Sequence, residues 1–184
     1  MRNRILKGLI VLSCVSPALA WRSVDDGLKL AQGSRLWVEG TSSVRSYKCT
    51  STALDVTVAS AGTDAVRAVL GGNKAVTTVD FAVPAKTLDC GNGTMNGHML
   101  EALKAKEHPV ISFRLVSYDL AVSDSAEKGT LNGVLTIGGA EQTIALPVDI
   151  AGAPGGALRV TGKYELNMKD YGLKPPTLLL GTLK

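Results

Sequence analysis

The chain has 184 residues, 45% of them hydrophobic, with 20 basic and 16 acidic side chains and a formal charge of +4. That length suits one domain with a sizeable core, and no linker or internal repeat divides it. Three of the basic residues, Arg2, Arg4 and Lys7, fall within the first 20 positions. The remainder therefore carries 17 basic against 16 acidic side chains, which removes the electrostatic motive for binding nucleic acid.

Residues 1–20 are expected to be a secretory signal peptide. The basic residues precede an apolar run over 9–12, extended by Cys14 and Val15, and Pro17, Ala18, Leu19 and Ala20 then supply a cleavage context before Trp21. The stretch 5–20 is short for a spanning helix, which needs about 20 apolar residues, and the residues ahead of Cys14 are a poor acylation context. The expectation is a mature domain over 21–184, in the periplasm or secreted, after cleavage near Ala20.

Beyond a polar lead-in, Leu36 and Val38 begin the first dry face, and 42–49 continues it or pairs with it, with a bulge or turn where Tyr47 breaks the parity of Val44. Leu54, Val56 and Val58 repeat the alternation. Residues 63–70 read either as a short helix capped by Thr63 and ended at Gly71 and Gly72, or as strand and loop. Val79, Phe81 and Val83 mark a strand over 74–84, and the Gly- and Asn-rich stretch 89–94 is a loop. A helix is expected over 95–106 with Thr94 as N-cap, since Met95, Met99 and Leu103 recur at four-residue spacing, and Pro109 ends it.

Four further dry faces follow: Ile111, Phe113 and Leu115; Leu131, Gly133, Leu135 and Ile137; Ile144, Leu146, Val148 and Ile150; and a strict alternation from Leu158 to Met168 that includes Tyr164 and Leu166. Turn compositions at 123–129, 138–142 and 152–156 separate them. About eight antiparallel strands with one helix make a closed or nearly closed barrel, or a sandwich, because unpaired edges are a hazard. The dry faces are mostly aliphatic, with only two Phe, two Trp and four Tyr in the chain. An interior so poor in rings has room for a ligand.

Removal of the leader takes Cys14 and leaves Cys49 and Cys90. Two cysteines in an oxidising compartment are expected to pair, and the bridge would close a loop of about 40 residues, worth roughly 4 kcal/mol in the chain-entropy model. The competing reading, a redox or metal-binding thiol pair, lacks C-x-x-C spacing and a nearby histidine.

Catalytic signals are thin. His98 and His108 sit in no metal-spaced motif, and no metal site is expected. Ser125, Ala126, Glu127 and Lys128 match S-x-x-K but lie in a turn without the companion motifs of acylating serine enzymes. The glycines of 91–97 do not form G-x-G-x-x-G, and Asn92, Gly93 and Thr94 are a glycosylation triplet without a host to interpret it. The sequence offers no triad or paired carboxylates, so a non-catalytic protein is expected, without a cofactor beyond a bound lipid or isoprenoid.

Four passages resemble the YceI-like family of exported, lipocalin-like lipid-binding proteins: 34–43 (SRLWVEGTSS), 83–113 (VPAKTLDCGNGTMNGHMLEALKAKEHPVISF), 129–148 (GTLNGVLTIGGAEQTIALPV) and 168–182 (MKDYGLKPPTLLLGT). The second and fourth are the most specific, through the Ala-Leu-Lys helix with its His-Pro and Ile-Ser-Phe sequel, and through Tyr171, Gly172 and Leu173 before Pro175 and Pro176. The resemblance implies an all-β fold, a lipocalin-like extended antiparallel β-barrel of about eight strands capped by one α-helix, with an apolar channel. It also implies a carrier of long-chain amphiphiles such as polyisoprenoids, isoprenoid quinones or fatty-acid derivatives. The family pattern continues past the stretch matching Gly181, Thr182 and Leu183 with a charged turn and a final strand. This sequence stops at Lys184, so either it is truncated, without a final strand, or the barrel seam is closed differently.

The expected ligand-lining residues follow the dry parity. They are Leu36 and Val38; Phe81 and Val83; Met99 and Leu103 of the helix; Ile111 and Phe113; Leu135 and Ile137; Leu146 and Val148; and Tyr164, Leu166 and Met168. Tyr164 is the expected polar contact, because a buried phenol needs a partner. The alternative is a non-catalytic structural module assisting a membrane surface, a membrane protein or a redox partner, as a monomer or a dimer.

Overall fold

The computed structural model describes residues 28–41, 46–62, 64–121, 127–174, 177–178 and 181–182. The alternating segments become β1 (Leu36–Thr41), β2 (Ser46–Ser51), β3 (Asp55–Ser60), β4 (Val76–Pro84), β5 (Val110–Ala121), β6 (Glu127–Ile137), β7 (Ala140–Ala153) and β8 (Ala157–Gly162). Helix α1 (Ala65–Leu70) lies between β3 and β4, and α2 (Gly93–Ala102) between β4 and β5. Strands β3 to β8 form one antiparallel six-stranded sheet in chain order, and β1 pairs with β2 as a separate hairpin. Two short strands, β9 (Thr177–Leu178) and β10 (Gly181–Thr182), pair with each other. The expected antiparallel all-β class is therefore observed, as eight main strands curled into a half-barrel. The expected signal peptide, together with Val44, Thr63 and Ser125, lies outside the described residues.

Local chemistry sets the turns. Ile137 pairs with Ala140 across a two-residue loop, and Gly138 and Gly139 both have positive φ, 56° and 81°, as a primed hairpin turn requires. Space adds to this at Gly138, where a Cβ would sit 2.5 Å from buried Leu173, whereas one on Gly139 would only have to displace the exposed His108 ring. In β5 the register shifts between Leu115 and Ser117, which ejects Val116 to 69% exposure. That bulge moves the inward parity from Ile111, Phe113 and Leu115 to Tyr118 and Leu120.

Several boundaries differ from the sequence expectation. Helix α2 starts earlier than 95–106, because the side chain of Asn92, not Thr94, accepts from the Met95 N–H at 3.1 Å and caps it. It stops earlier because Lys104 turns left-handed at φ 52°. The Ala105 N–H then bonds to the Leu100 carbonyl and the Lys104 N–H to the Glu101 carbonyl, a Schellman closure. Residues 65–70 are helical, capped by Asp64, whose carboxylate accepts from the Arg67 N–H at 3.3 Å. No bulge occurs at Tyr47, since β1 and β2 pair in unbroken register from Leu36–Ser51 to Thr41–Ser46. The alternation that begins at Leu158 is a strand only to Gly162. Past that point Lys163 reaches Glu39 of β1, and Asn167 caps a 3-10 turn over Met168–Tyr171.

The inward faces pack into two clusters at opposite ends of the sheet. One lies under α2 and joins Cys49, Ala85, Leu88, Met99, Leu103, Ile111, Ile137, Tyr171 and Leu173. The other lies under α1 and joins Ala65, Val69, Ala75, Val148 and Ile150. Six residues separate Leu131, packed on the second, from Ile137 in the first, about 20 Å along a strand.

Candidate functional site

The inward face between the two clusters is apolar but incompletely covered. Val56, Val58, Val79, Phe81, Leu115 and Leu146 all take inward positions, yet each is only half-buried. The Phe81 and Phe113 rings meet there with centroids 6.1 Å apart, and the Phe113 ring lies over Gly133, diagonal to it on β6, where a side chain would strike it. At the β8 edge the inward face opens further: Val160, paired with inward Ile150, is 49% exposed. Burial thus seals the two ends of the face and, between them, covers Phe113, Gly133 and Ile144, while Val56, Val58, Val79, Phe81, Leu115 and Leu146 stay half-covered and the β8 edge is accessible.

Most of the residues expected from sequence meet in this interior. The α2-end cluster brings together Met99, Leu103, Ile111 and Ile137, with Val38, Leu135 and Met168 packed against it. Val83 is fully buried, Phe113 is buried, and Phe81 lies against Phe113. Val148 belongs to the α1-end cluster, with Leu146 beside it. Leu36 is half-buried opposite Ser51 and joins neither cluster. Tyr164 and Leu166 do not join them either: they lie beyond β8 at 41% and 38% exposure.

The buried phenols are Tyr118 and Tyr171 rather than Tyr164. The Tyr118 hydroxyl accepts from the Val76 N–H at 3.0 Å. The Tyr171 hydroxyl has no hydrogen-bond partner among the described residues. Burial, with smaller contributions from Tyr164 and Asp170, pushes this phenol up to about 12. Sequence parity missed both residues, one because the bulge at Val116 hides its phase, the other because it sits in a 3-10 turn. The Tyr171-Gly172-Leu173 motif was the only available signal for the second.

Cys49 and Cys90 form a disulfide, as expected, and it ties the β1–β2 hairpin to the loop before α2. That loop is further fixed where Cys90 N–H donates to Asn96 at 2.8 Å, and where the Asp89 carboxylate accepts from Asn96 and from the Gly91 N–H. Those two hydrogen bonds hold the Asp89 carboxyl below its ordinary value. Across the seam, Lys163 meets Glu39 at 2.8 Å, which lowers the Glu39 carboxyl and raises the Lys163 ammonium.

Surface depressions lie elsewhere on the described residues. One, of about 200 Å³, is lined mainly by outward positions of β3 to β6, including Asp55, Asp80, Ser112 and Arg114, with Phe81 and Phe113 also in its lining. Another, of about 220 Å³, lies beside α1 among Leu28, Ser60, Asp64 and Gly156. His98 is half-buried on α2, and His108 is exposed against Gly139. Among the described residues no cluster of His, Cys, Asp and Glu could hold a metal ion, and no helix is long and apolar enough to cross a membrane.

Against known proteins, the family model of the YceI-like domain matches residues 37–182. No curated protein matches the sequence. Among solved structures, BcnA of Burkholderia cenocepacia is similar at 16% identity and a TM-score of 0.57, over 76% of this chain and 81% of that one. The YceI protein of Campylobacter jejuni is similar at 16% identity and a TM-score of 0.51, over 94% of this chain and 85% of that one. At such identities the likeness shows the fold.

Proposed function

The chain belongs to the YceI-like family, a binding-protein fold, and from that premise we propose that it is an exported carrier of a long-chain amphiphile such as a polyisoprenoid, an isoprenoid quinone or a fatty-acid derivative. The observation that carries this reading is the inward apolar face, closed at both ends and half-covered in between. Such a surface gains by covering itself with hydrocarbon: each buried CH₂ contributes about 0.8 kcal/mol, so a chain of ten or more carbons binds firmly with few polar contacts. Phe81, Val83, Phe113, Leu135 and Leu146 supply the wall, and Val38, Met99, Leu103, Ile111, Ile137 and Met168 supply its α2 end.

Residues 1–20 would direct the chain to the periplasm or the exterior, where the Cys49–Cys90 bridge persists. The carrier works by sequestration and release, with no bond made or broken. Native mass spectrometry and organic extraction of protein purified from its own host test the reading. A recurrent bound amphiphile is expected. A protein that is repeatedly ligand-free, and that takes up no amphiphile after delipidation, refutes it and favours a structural module assisting a membrane or redox partner.

A further inference from the structure

Tyr171 occupies an unusual place in the α2-end cluster. It is 2% exposed, and it sits among Cys49, Leu88, Met99, Ile111, Ile137 and Leu173. Its backbone is held firmly. Asn167 accepts from the Lys169 N–H at 3.1 Å, the Gln142 amide donates to the Asp170 carbonyl at 2.7 Å, and the Leu173 N–H reaches the Met168 carbonyl at 3.0 Å. The ring therefore has little freedom to swing its hydroxyl to solvent, and that hydroxyl is buried without a partner among the described residues.

Burying a phenol without a partner costs free energy that phenylalanine, of the same shape, would not. The other deeply buried tyrosine, Tyr118, does have a partner, the Val76 N–H. On the carrier reading, we infer that the Tyr171 hydroxyl donates a hydrogen bond to an uncharged oxygen of the ligand, a ketone, quinone or ester carbonyl, and thereby seats the head of the amphiphile at the α2 end. The phenol is neutral at any physiological pH, being pushed up to about 12, and so remains a donor. An anionic head would be a poor fit, since the negative charge of Asp170 already acts on the phenol. A cationic head would offer no acceptor.

The test uses delipidated full-length mature protein and the isosteric variant Tyr171→Phe, with 2-tridecanone, tridecane and dodecyl phosphate competing against 1-anilinonaphthalene-8-sulfonate. In the wild type 2-tridecanone is expected to bind more tightly than dodecyl phosphate. Tyr171→Phe should weaken 2-tridecanone about 3- to 10-fold and leave tridecane within about twofold, the size of one lost neutral hydrogen bond. The infrared carbonyl band of bound 2-tridecanone should lie lower in the wild type than in the variant, a readout that packing alone would not move. Unchanged 2-tridecanone affinity and an unchanged band in the variant overturn the inference and leave the carrier reading standing. Equal losses for ketone and alkane overturn it as well. If none of the three probes binds the wild type, the carrier reading fails and takes this inference with it.

Discussion

Opening the Cys49–Cys90 bridge is expected to free the β1–β2 hairpin before the six-stranded sheet unfolds. The bridge spans 41 positions, and the chain-entropy model converts a loop of that size to about 4 kcal/mol at 25 °C. The hairpin is not part of the large sheet. Its other ties include the Thr50–Asp89 backbone pair at 2.9 and 3.0 Å, the Ser51–Thr87 hydroxyl contact at 2.6 Å, the exposed Glu39–Lys163 ion pair, and the packing of Val38 and Tyr47 against the α2-end cluster. For a domain of this size, about 4 kcal/mol corresponds to a fall in Tm of roughly 8–16 °C. The comparison is urea unfolding of the oxidised protein, the protein reduced under denaturant and refolded in reductant, and the double variant Cys49→Ala/Cys90→Ala. Hydrogen exchange would be read segment by segment. Reduction should raise the m-value, because the unlinked unfolded chain exposes more surface, and it should strip protection from 36–51 before β5 to β7. The double variant should lose more than the reduced protein, since Cys49 is 0% exposed and its sulfur fills the α2-end cluster. A loss below about 1 kcal/mol, or hairpin protection that stays equal to that of β6, would refute the reasoning.

Three further outcomes follow from single contacts. Tyr118→Phe should cost about 1–3 kcal/mol by chemical denaturation, because it strands the Val76 N–H; the same substitution at Tyr171 should not destabilise the ligand-free protein, and equal losses at the two sites would contradict their different bonding. Gly133→Ala should cost about 1–3 kcal/mol, as the new methyl group would meet the Phe113 ring and the Arg114 carbonyl at 2.5 Å. Adding Phe113→Leu should relieve only the ring contact, and full recovery would be inconsistent with the backbone clash. The Glu39 carboxyl is depressed below 4.5 by Lys163, so the pair's contribution is present above the ordinary carboxylate value and is lost as pH falls through the depressed one. A carboxyl-carbon NMR titration should show Glu39 moving back up towards 4.5 in Lys163→Ala, and an unmoved titration would place the cause elsewhere.

Much of the fold could be read from single strands. Which side chains of β7 face inward is decided by a two-residue period, and Ile144, Leu146, Val148 and Ile150 show it without any knowledge of their neighbours. The disulfide was legible because only two cysteines remain once the expected leader is set aside. The site was legible as a wall but not as a shape. Val116 shifts the parity of β5 in mid-strand, which brought Tyr118 inside unannounced. The sequence reading put the cap of α2 at Thr94, and the backbone path moved it to Asn92.

The sequence by itself determined that this chain is an antiparallel β protein of the YceI-like kind, with one dry face per strand and an aliphatic interior. Tertiary structure decided which parts of that interior are covered. It sealed the ends under α1 and α2, left Val160, Tyr164 and Leu166 exposed on the open edge, and buried the Tyr171 hydroxyl without a partner among the described residues. The physical reason is that facing is a property of one strand's covalent geometry, whereas burial depends on what distant segments bring to the same place.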